Sequence, residues 1–340
     1  MTQFCFQRRQ TLGALAAGAL GGLGAGLWTG ADAAGAAWRP TQNISYAIGV
    51  SAGGSADLYA RGIMNALETL KLTNGQPVIA ENRPGAAGLM ALQQLQRSRG
   101  NAHLLATFHT ASIAAQAAGM FKADLREFVP VAMLVEETTL VAVSVDSGLH
   151  SGRDLIDALK RDPAGLRIAV APLLGLSTHL AIAKPLKLAG VDVRKLTVVP
   201  FRSSADSMTA LLGGHVDVIS ATGPLVVPMA QAGRVRMLAS AAAEHGTGPL
   251  SRVATWREQG IAADYVSYNG VLLPPGVDAE QIRYWEEALR RVSASTRWID
   301  LVQQSGNKPI FKGYVDSHRY LQSELAESQA LVASLGLTGS

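Results

Sequence analysis

The chain has 340 residues, a formal net charge of +4, 48% hydrophobic residues and a single cysteine. One cysteine forms no disulfide within the chain and no cysteine-ligated metal cluster, and so mild a basic excess is not the electrostatic footprint of a nucleic-acid binder. The length is ample for two core-forming lobes.

The N-terminus reads as an export signal. Arg8 and Arg9 precede an uncharged Ala/Gly/Leu stretch from Thr11 to Ala31, and Ala31-Asp32-Ala33 supplies small residues for cleavage. Removing residues 1–33 takes away Arg8, Arg9 and Asp32, so the mature charge falls from +4 to +3, and Cys5 leaves with the signal. Cys5 precedes the apolar stretch, the wrong order for a lipoprotein anchor. Gly18, Gly22, Gly26 and Gly30 repeat at the spacing of a membrane-helix dimer face, and Gly22-Leu23-Gly24 has the look of a nucleotide fingerprint. Neither reading holds: no strand precedes the glycines, and the stretch is too rich in Gly and Ala for a membrane span. The arginine pair fits twin-arginine export loosely, because Gln10-Thr11-Leu12 departs from that pattern, and Sec export stays open. No later segment approaches the roughly 18 unbroken apolar residues of a span, so the mature product is expected to be soluble.

Beyond the signal, short β-rich runs alternate with helical stretches, the pattern of α/β lobes with largely parallel sheets. Strands are predicted at Ile44–Val50, Pro77–Glu81, His103–Phe108, Val131–Val135, Leu140–Val145, Arg167–Ala171, Leu196–Pro200, Val216–Ser220, Val235–Ala239 and Val266–Leu273. The first helix, Ser55–Lys71, carries Leu58, Ile63, Met64, Leu67 and Leu70 near helical spacing, with Asp57 four residues before Arg61 as a supporting ion pair. From Asp278 to Leu335 the chain reads as almost wholly helical, with Trp285, Leu289 and Val292 on one buried face.

Three strand ends feed capped helix starts: Ile44–Val50 into Gly53-Gly54-Ser55-Ala56-Asp57, Arg167–Ala171 through Gly175-Leu176 into Ser177-Thr178-His179, and Leu196–Pro200 through Phe201-Arg202 into Ser203-Ser204-Ala205-Asp206. A helix N-terminus leaves four N–H groups without intrahelical partners and carries partial positive charge, while glycines let a ligand approach the backbone. In open α/β sheets ligands bind outside the carboxyl ends of strands, where such junctions gather. One terminus gives an anion about 0.3 to 2 kcal/mol, whereas micromolar binding needs about 8 kcal/mol. Several termini must therefore converge, as when two lobes close over one ligand.

Five runs carry a family resemblance. They are Gly53-Gly54-Ser55-Ala56-Asp57-Leu58-Tyr59-Ala60-Arg61, Glu81-Asn82-Arg83-Pro84-Gly85-Ala86-Ala87-Gly88, Val199-Pro200-Phe201-Arg202, Leu211-Leu212-Gly213-Gly214-His215-Val216-Asp217 and Leu272-Leu273-Pro274-Pro275-Gly276. In order and spacing they resemble the extracytoplasmic solute-binding proteins of tripartite tricarboxylate transporters, the Bug or TctC family, from about residue 38 to the C-terminus. The resemblance implies a two-lobed Venus-flytrap fold in the periplasm, each lobe a mostly parallel sheet flanked by helices. Its expected work is capturing a small carboxylate in the interlobe cleft and delivering it to a membrane permease, without cofactor, metal or nucleic acid, as a monomer. Lobe 1 is expected at residues 34–143 plus 268–340 and lobe 2 at residues 144–267. Carried over by position, the ligand contacts are Gly53, Gly54, Ser55, Ala56 and Asp57 in the first lobe, with Gly175, Leu176, Ser177, Thr178, Arg202, Ser203 and Ser204 in the second.

The chain departs from the family at three places. Gly49-Val50-Ser51-Ala52 replaces the usual Pro-Phe-x-Pro, Gly100-Asn101-Ala102-His103 replaces Asp-Gly-Tyr-Thr, and Leu173, Leu174 and Leu176 stand where Gly or Thr is common. A pocket less polar than one for citrate is expected, suited to a monocarboxylate with an aromatic or aliphatic body.

Individual residues support two readings each. Asp57 either touches the ligand or complements the helix dipole, and Arg202 either pairs with a carboxylate or is a solvated loop arginine. Asn82 and Arg83 are read as fixing the Pro84-Gly85 turn, and His179 as structural or as a donor to an anion. His103 and His109 are six residues apart on one strand, roughly 20 Å, too far to share a metal. A serine hydrolase using Ser177 or Ser55 is the rival from another class, though Gly175-Leu176-Ser177-Thr178-His179 lacks the second glycine of a nucleophile elbow. A periplasmic sensor contacting a signalling receptor instead of a permease keeps the fold and changes the role.

Overall fold

The structure, a computed structural model, describes residues 37–53, 55–85, 88–120, 124–246 and 248–336. The predicted export signal, Gly54 and the Ala86-Ala87 pair lie outside the described residues.

Apolar runs and amphipathic stretches alternate as strands and helices. The first half of the chain forms β1 (Ile44–Ile48), α1 (Ser55–Thr69), β2 (Val78–Asn82), α2 (Leu89–Arg97), β3 (Leu104–His109), α3 (Thr110–Ala117), β4 (Val129–Ser144) and α4 (Gly152–Arg161). The chain continues through β5 (Arg167–Val170), α5 (Ser177–Leu188), β6 (Thr197–Pro200), α6 (Ser204–Leu212), β7 (Val218–Thr222), α7 (Gly223–Gln231) and β8 (Val235–Ser240). It ends with β9 (Val266–Leu273), α8 (Ala279–Ser293), α9 (Thr296–Gln304), β10 (Lys308–Lys312) and α10 (Tyr314–Ser334).

Two mixed sheets share β4. In one, β2, β1 and β3 run parallel, β9 is antiparallel to β3 and to the first part of β4, and β10 pairs antiparallel with that same part. In the other, β7 and β8 pair antiparallel with Thr139–Ser144 of β4, and β5 and β6 extend from β7 in parallel. The expected mostly parallel sheets are thus corrected to mixed ones. A chain that crosses between two sheets on β4 and returns into β9 must run the two legs in opposite directions.

Two further sequence expectations change. The strands predicted at Val131–Val135 and Leu140–Val145 are one continuous strand, because Glu136–Thr139 stays extended and pairs with Tyr268–Val266 and with Thr222. The C-terminal third also contains β10, whose Lys308-Pro309-Ile310-Phe311-Lys312 is short and flanked by helices. On α1 the buried face is Ala56, Tyr59, Ala60, Ile63 and Leu67, and Leu58 falls on the opposite side of the 3.6-residue period, 39% exposed. The apolar cluster beneath α1 includes Tyr46, Trp285, Leu289, Val292 and Trp298, and the Trp285 indole N–H donates to Ala102 O at 2.8 Å.

Gly270 of β9 pairs with Met133 of β4, next to a register shift between Met133 and Val135. A Cβ there would overlap the Ala132 carbonyl oxygen and lie 2.9 Å from Met133 Cα. Gly270→Ala is expected to lower stability by about 1 to 3 kcal/mol in urea unfolding, as overpacked cores do. An unchanged unfolding midpoint would contradict the close approach of the two strands.

Candidate functional site

At the first junction, β1 ends and Gly53 takes a left-handed turn (φ +88°) into α1. Asp57 reaches back from the first turn of the helix: Oδ2 accepts from Gly53 N–H at 3.0 Å, Arg61 Nε donates to the carboxylate at 3.0 Å, and Asn82 Nδ2 donates to Oδ1 at 2.9 Å. Asn82 Nδ2 also donates to Val50 O at 3.0 Å, and Arg61 Nη2 donates to Asn82 Oδ1 at 2.8 Å. Burial alone would raise the Asp57 pKa, but these donors outweigh it and hold the carboxyl below its usual range. Both oxygens are thereby spent on the loop. Asp57 shapes the approach to the helix start, where the first-turn N–H groups of α1 have no intrahelical acceptors. Asn82 ties β2 to this loop as well, and Arg83 pairs with Glu81 at 2.9 Å.

At the second junction, Gly175 turns with φ +79° into α5, whose N-cap position is Leu176, a residue with no capping side chain. His179 Nδ1 accepts from Gly175 N–H at 2.9 Å, and burial pushes its pKa down to about 4, so the ring is neutral and brings no positive charge. Thr178 Oγ1 donates to Ala171 O at 2.7 Å, and Ser220 Oγ donates to Thr178 O at 2.6 Å, pinning the first turn to β5 and β7. The expected leucine wall is corrected in part: Leu176 is 1% exposed inside the core, Leu174 packs against that core, and Leu173 is 44% exposed. At the third junction Ser203 caps α6, accepting from Asp206 N–H at 3.1 Å, while Arg202 is exposed and forms no ion pair among the described residues.

Between the first two junctions runs a polar strip that the sequence reading did not single out. Register pairs Glu137 with Ser267 across β4 and β9, so the two-residue period of a strand puts Glu137, Thr139, Ser267 and Asn269 on one face, with Tyr265 immediately before β9. Thr139 Oγ1, Ser267 Oγ and Asn269 Oδ1 are buried and have no hydrogen-bond partner. At one end Ser55 of α1 acts on the Glu137 carboxyl, and at the other Ser177 acts on the Tyr265 hydroxyl. The strip therefore joins the starts of α1 and α5. His109 at the end of β3 stands beside Asn269 in register and contacts Glu137 Oε2 through Nε2 at 3.0 Å. A pair of glutamates interrupting the apolar run Val129–Val145 was the sequence signal for this strip.

Behind the strip, α10 presents Glu324, whose carboxyl burial pushes up to about 7 while Ser328 Oγ, 2.9 Å away, and Lys184 pull it back. Away from the strip, a groove of about 320 Å³ at the far end of α1 is lined by Arg39, Lys71, Tyr284, Glu287 and Arg291. No group of three or more His, Cys, Asp or Glu able to hold a metal occurs among the described residues, and no described helix is long and apolar enough to cross a membrane.

Two pH-dependent outcomes follow from these carboxyls. Asp57 has a depressed folded pKa, so its contribution is present above the unfolded value of about 3.9 and lost as pH falls through the folded one. Asp57→Ala should lower Tm at pH 7, with the gap to wild type closing in acid; a gap independent of pH would contradict the linkage. Glu324 is raised, so it costs nothing below the unfolded value of about 4.3 and destabilises as pH rises through its folded value. Glu324→Gln should match wild type near pH 4 and melt several degrees higher at pH 8 in calorimetry, whereas equal Tm at pH 8 would show that the carboxyl is not strained by burial.

Comparison with known proteins places this geometry. A curated relative, the "UPF0065 protein in gbd 5'region" of Cupriavidus necator, is 27% identical over 303 residues, covering 88% of this chain and 89% of its own. Among solved structures, R. palustris Rpa4515 with adipate aligns at TM-score 0.75 with 24% identity, covering 87% of this chain and 98% of that one. MatC from Rhodopseudomonas palustris with bound malate aligns at TM-score 0.73 with 23% identity over 86% and 99% of the two chains. These likenesses show the two-lobed α/β fold. The family described as the tripartite tricarboxylate transporter family receptor, TctC, matches residues 63–337, and the chain belongs to that family.

Proposed function

We propose that the protein is an extracytoplasmic solute-binding receptor that captures a small aliphatic carboxylate between its lobes and hands it to a membrane permease of the tripartite tricarboxylate type. The observation that carries this reading is that the starts of α1 and α5 meet one buried polar strip of β4 and β9. Two helix termini near one strip supply N–H donors and positive potential, as an anion requires. The adipate and malate held by two structures of similar fold agree with a carboxylate ligand.

Lobe 1 takes the chain from residue 34 up to about Thr138 plus residues 266–340 and lobe 2 the segment between, because Thr139–Ser144 pairs with β7 and β8 and moves the boundary expected at residue 143. The ligand is contacted by the backbone of Gly53 to Asp57, by Gly175 to Thr178 and by Arg202 to Ser204. Closure bends the two crossing legs, β4 near Thr138-Thr139 and the return into β9. Export through residues 1–33 delivers a monomer to the periplasm. No covalent step belongs to the mechanism: the imidazole of His179 spends Nδ1 on Gly175 N–H, and no histidine hydrogen-bonds Ser177. Of the aromatic or aliphatic bodies expected from the sequence, the inward-turned Leu174 and Leu176 favour the aliphatic one.

A thermal-shift screen of the mature protein against mono-, di- and tricarboxylates, with benzoate and neutral sugars as controls, tests this reading. A ligand at 100 times its Kd adds about 2.7 kcal/mol and should raise Tm by a few degrees for an aliphatic acid alone. No shift with any acid, or a shift with sugars, would refute it.

A further inference from the structure

Glu137 is 1% exposed and Asn269 4% exposed, both on the strip between the starts of α1 and α5. The hydrogen bonds around them fix their chemistry. Ala111 N–H donates to His109 Nδ1 at 2.9 Å, so that nitrogen carries no proton; the N–H of the ring is on Nε2 and donates to Glu137 Oε2 at 3.0 Å. Asn269 Nδ2 donates to the same Oε2 at 3.3 Å. Burial alone would raise the Glu137 pKa, but His109, Ser55 and Asn269 together hold it below the usual range. None of the groups acting most strongly on it is a lysine or arginine. The result is a buried carboxylate met at Oε2 by His109 and Asn269 and drawn on by Ser55, with the neighbouring Asn269 Oδ1 unsatisfied.

A buried acceptor without a donor, as Asn269 Oδ1 is, is costly, and a buried carboxylate repels a second carboxylate placed against it. The anionic end of a ligand belongs at the helix termini, and something that donates belongs at Glu137. We propose that Glu137 and Asn269 are specificity-determining acceptors for a hydroxyl or ammonium on the ligand, so that the receptor selects hydroxy or amino acids over plain aliphatic acids. This rests on the carboxylate-capture reading and narrows it. Sites built to hydrogen-bond a polar group reject analogues lacking it, because the buried partners are then left unpaired.

Isothermal titration calorimetry of the mature protein with succinate, malate and aspartate, and with adipate and 2-aminoadipate, tests the assignment. At least one donor-bearing acid should bind about ten-fold or more tightly than the plain acid of the same length. In Glu137→Gln, whose amide keeps the His109 contact through its oxygen and turns its NH₂ toward the ligand, that preference should fall to within about three-fold. Where that variant does not fold, Asn269→Ser should show the same narrowing. Plain acids binding as tightly as donor-bearing ones, or a preference that survives the substitutions, would overturn the inference and leave carboxylate capture standing. Binding of none of the five acids would instead remove the capture reading and the inference with it.

Discussion

The extended run Val129–Ser144 satisfies β9 and β10 with its first part and β7 and β8 with its last residues, so a single strand carries the backbone ladders of both sheets. Buried N–H and C=O groups must be paired, and a strand that leaves one sheet for another meets that demand only if its new neighbours take over where the old ones stop. The takeover happens at Thr138 and Thr139. Thr138 N–H is met by Asn307 Oδ1 at 3.0 Å, and Thr139 is already in register with Thr222. The return leg into β9 pairs with the same stretch. The proposed closure would bend the chain here, and the unsatisfied polar atoms of the strip lie on the same few residues.

That placement explains why the helix starts are built as they are. The first turn of α1 is approached by a loop that Asp57, Asn82 and Arg61 fasten internally, and the first turn of α5 is pinned by Thr178 and His179. In both, side chains with hydrogen-bonding capacity fix the loop and leave backbone donors toward the strip. Neutral His179 and the exposed Arg202 mean that no buried cation stands in the described site, so anion attraction comes from helix termini. Each is worth about 0.3 to 2 kcal/mol, and specificity must come from geometry and from the polar strip.

Much of this was legible in the sequence. Strand β9 falls on the predicted residues, and the three glycine- or serine-marked junctions lie at strand ends because local turn chemistry fixes them whatever the tertiary context. The break predicted inside β4 falls on Glu136-Glu137-Thr138-Thr139, a polar run in an otherwise apolar stretch. Tertiary pairing overrides that, since His109 and Asn269 supply donors from elements 28 and 132 residues away. Asp57 shows the converse limit. Its spacing to Arg61 was visible, but Asn82, which turns a potential ligand contact into a loop clasp, comes from a neighbouring strand 25 residues on. The inward turn of the Leu176 side chain was not legible, because a single residue in a loop has no periodicity to tell a pocket wall from a core contact.

The central claim is that one anion is held by the starts of both α1 and α5. A crystal structure of the mature protein with the best-binding acid tests it most directly. The account predicts electron density for the ligand carboxylate within hydrogen-bond reach of N–H groups in residues 53–57 and 175–178. A ligand seated elsewhere, such as the arginine-lined groove at the far end of α1, or touching only one of the two helix starts, would contradict it.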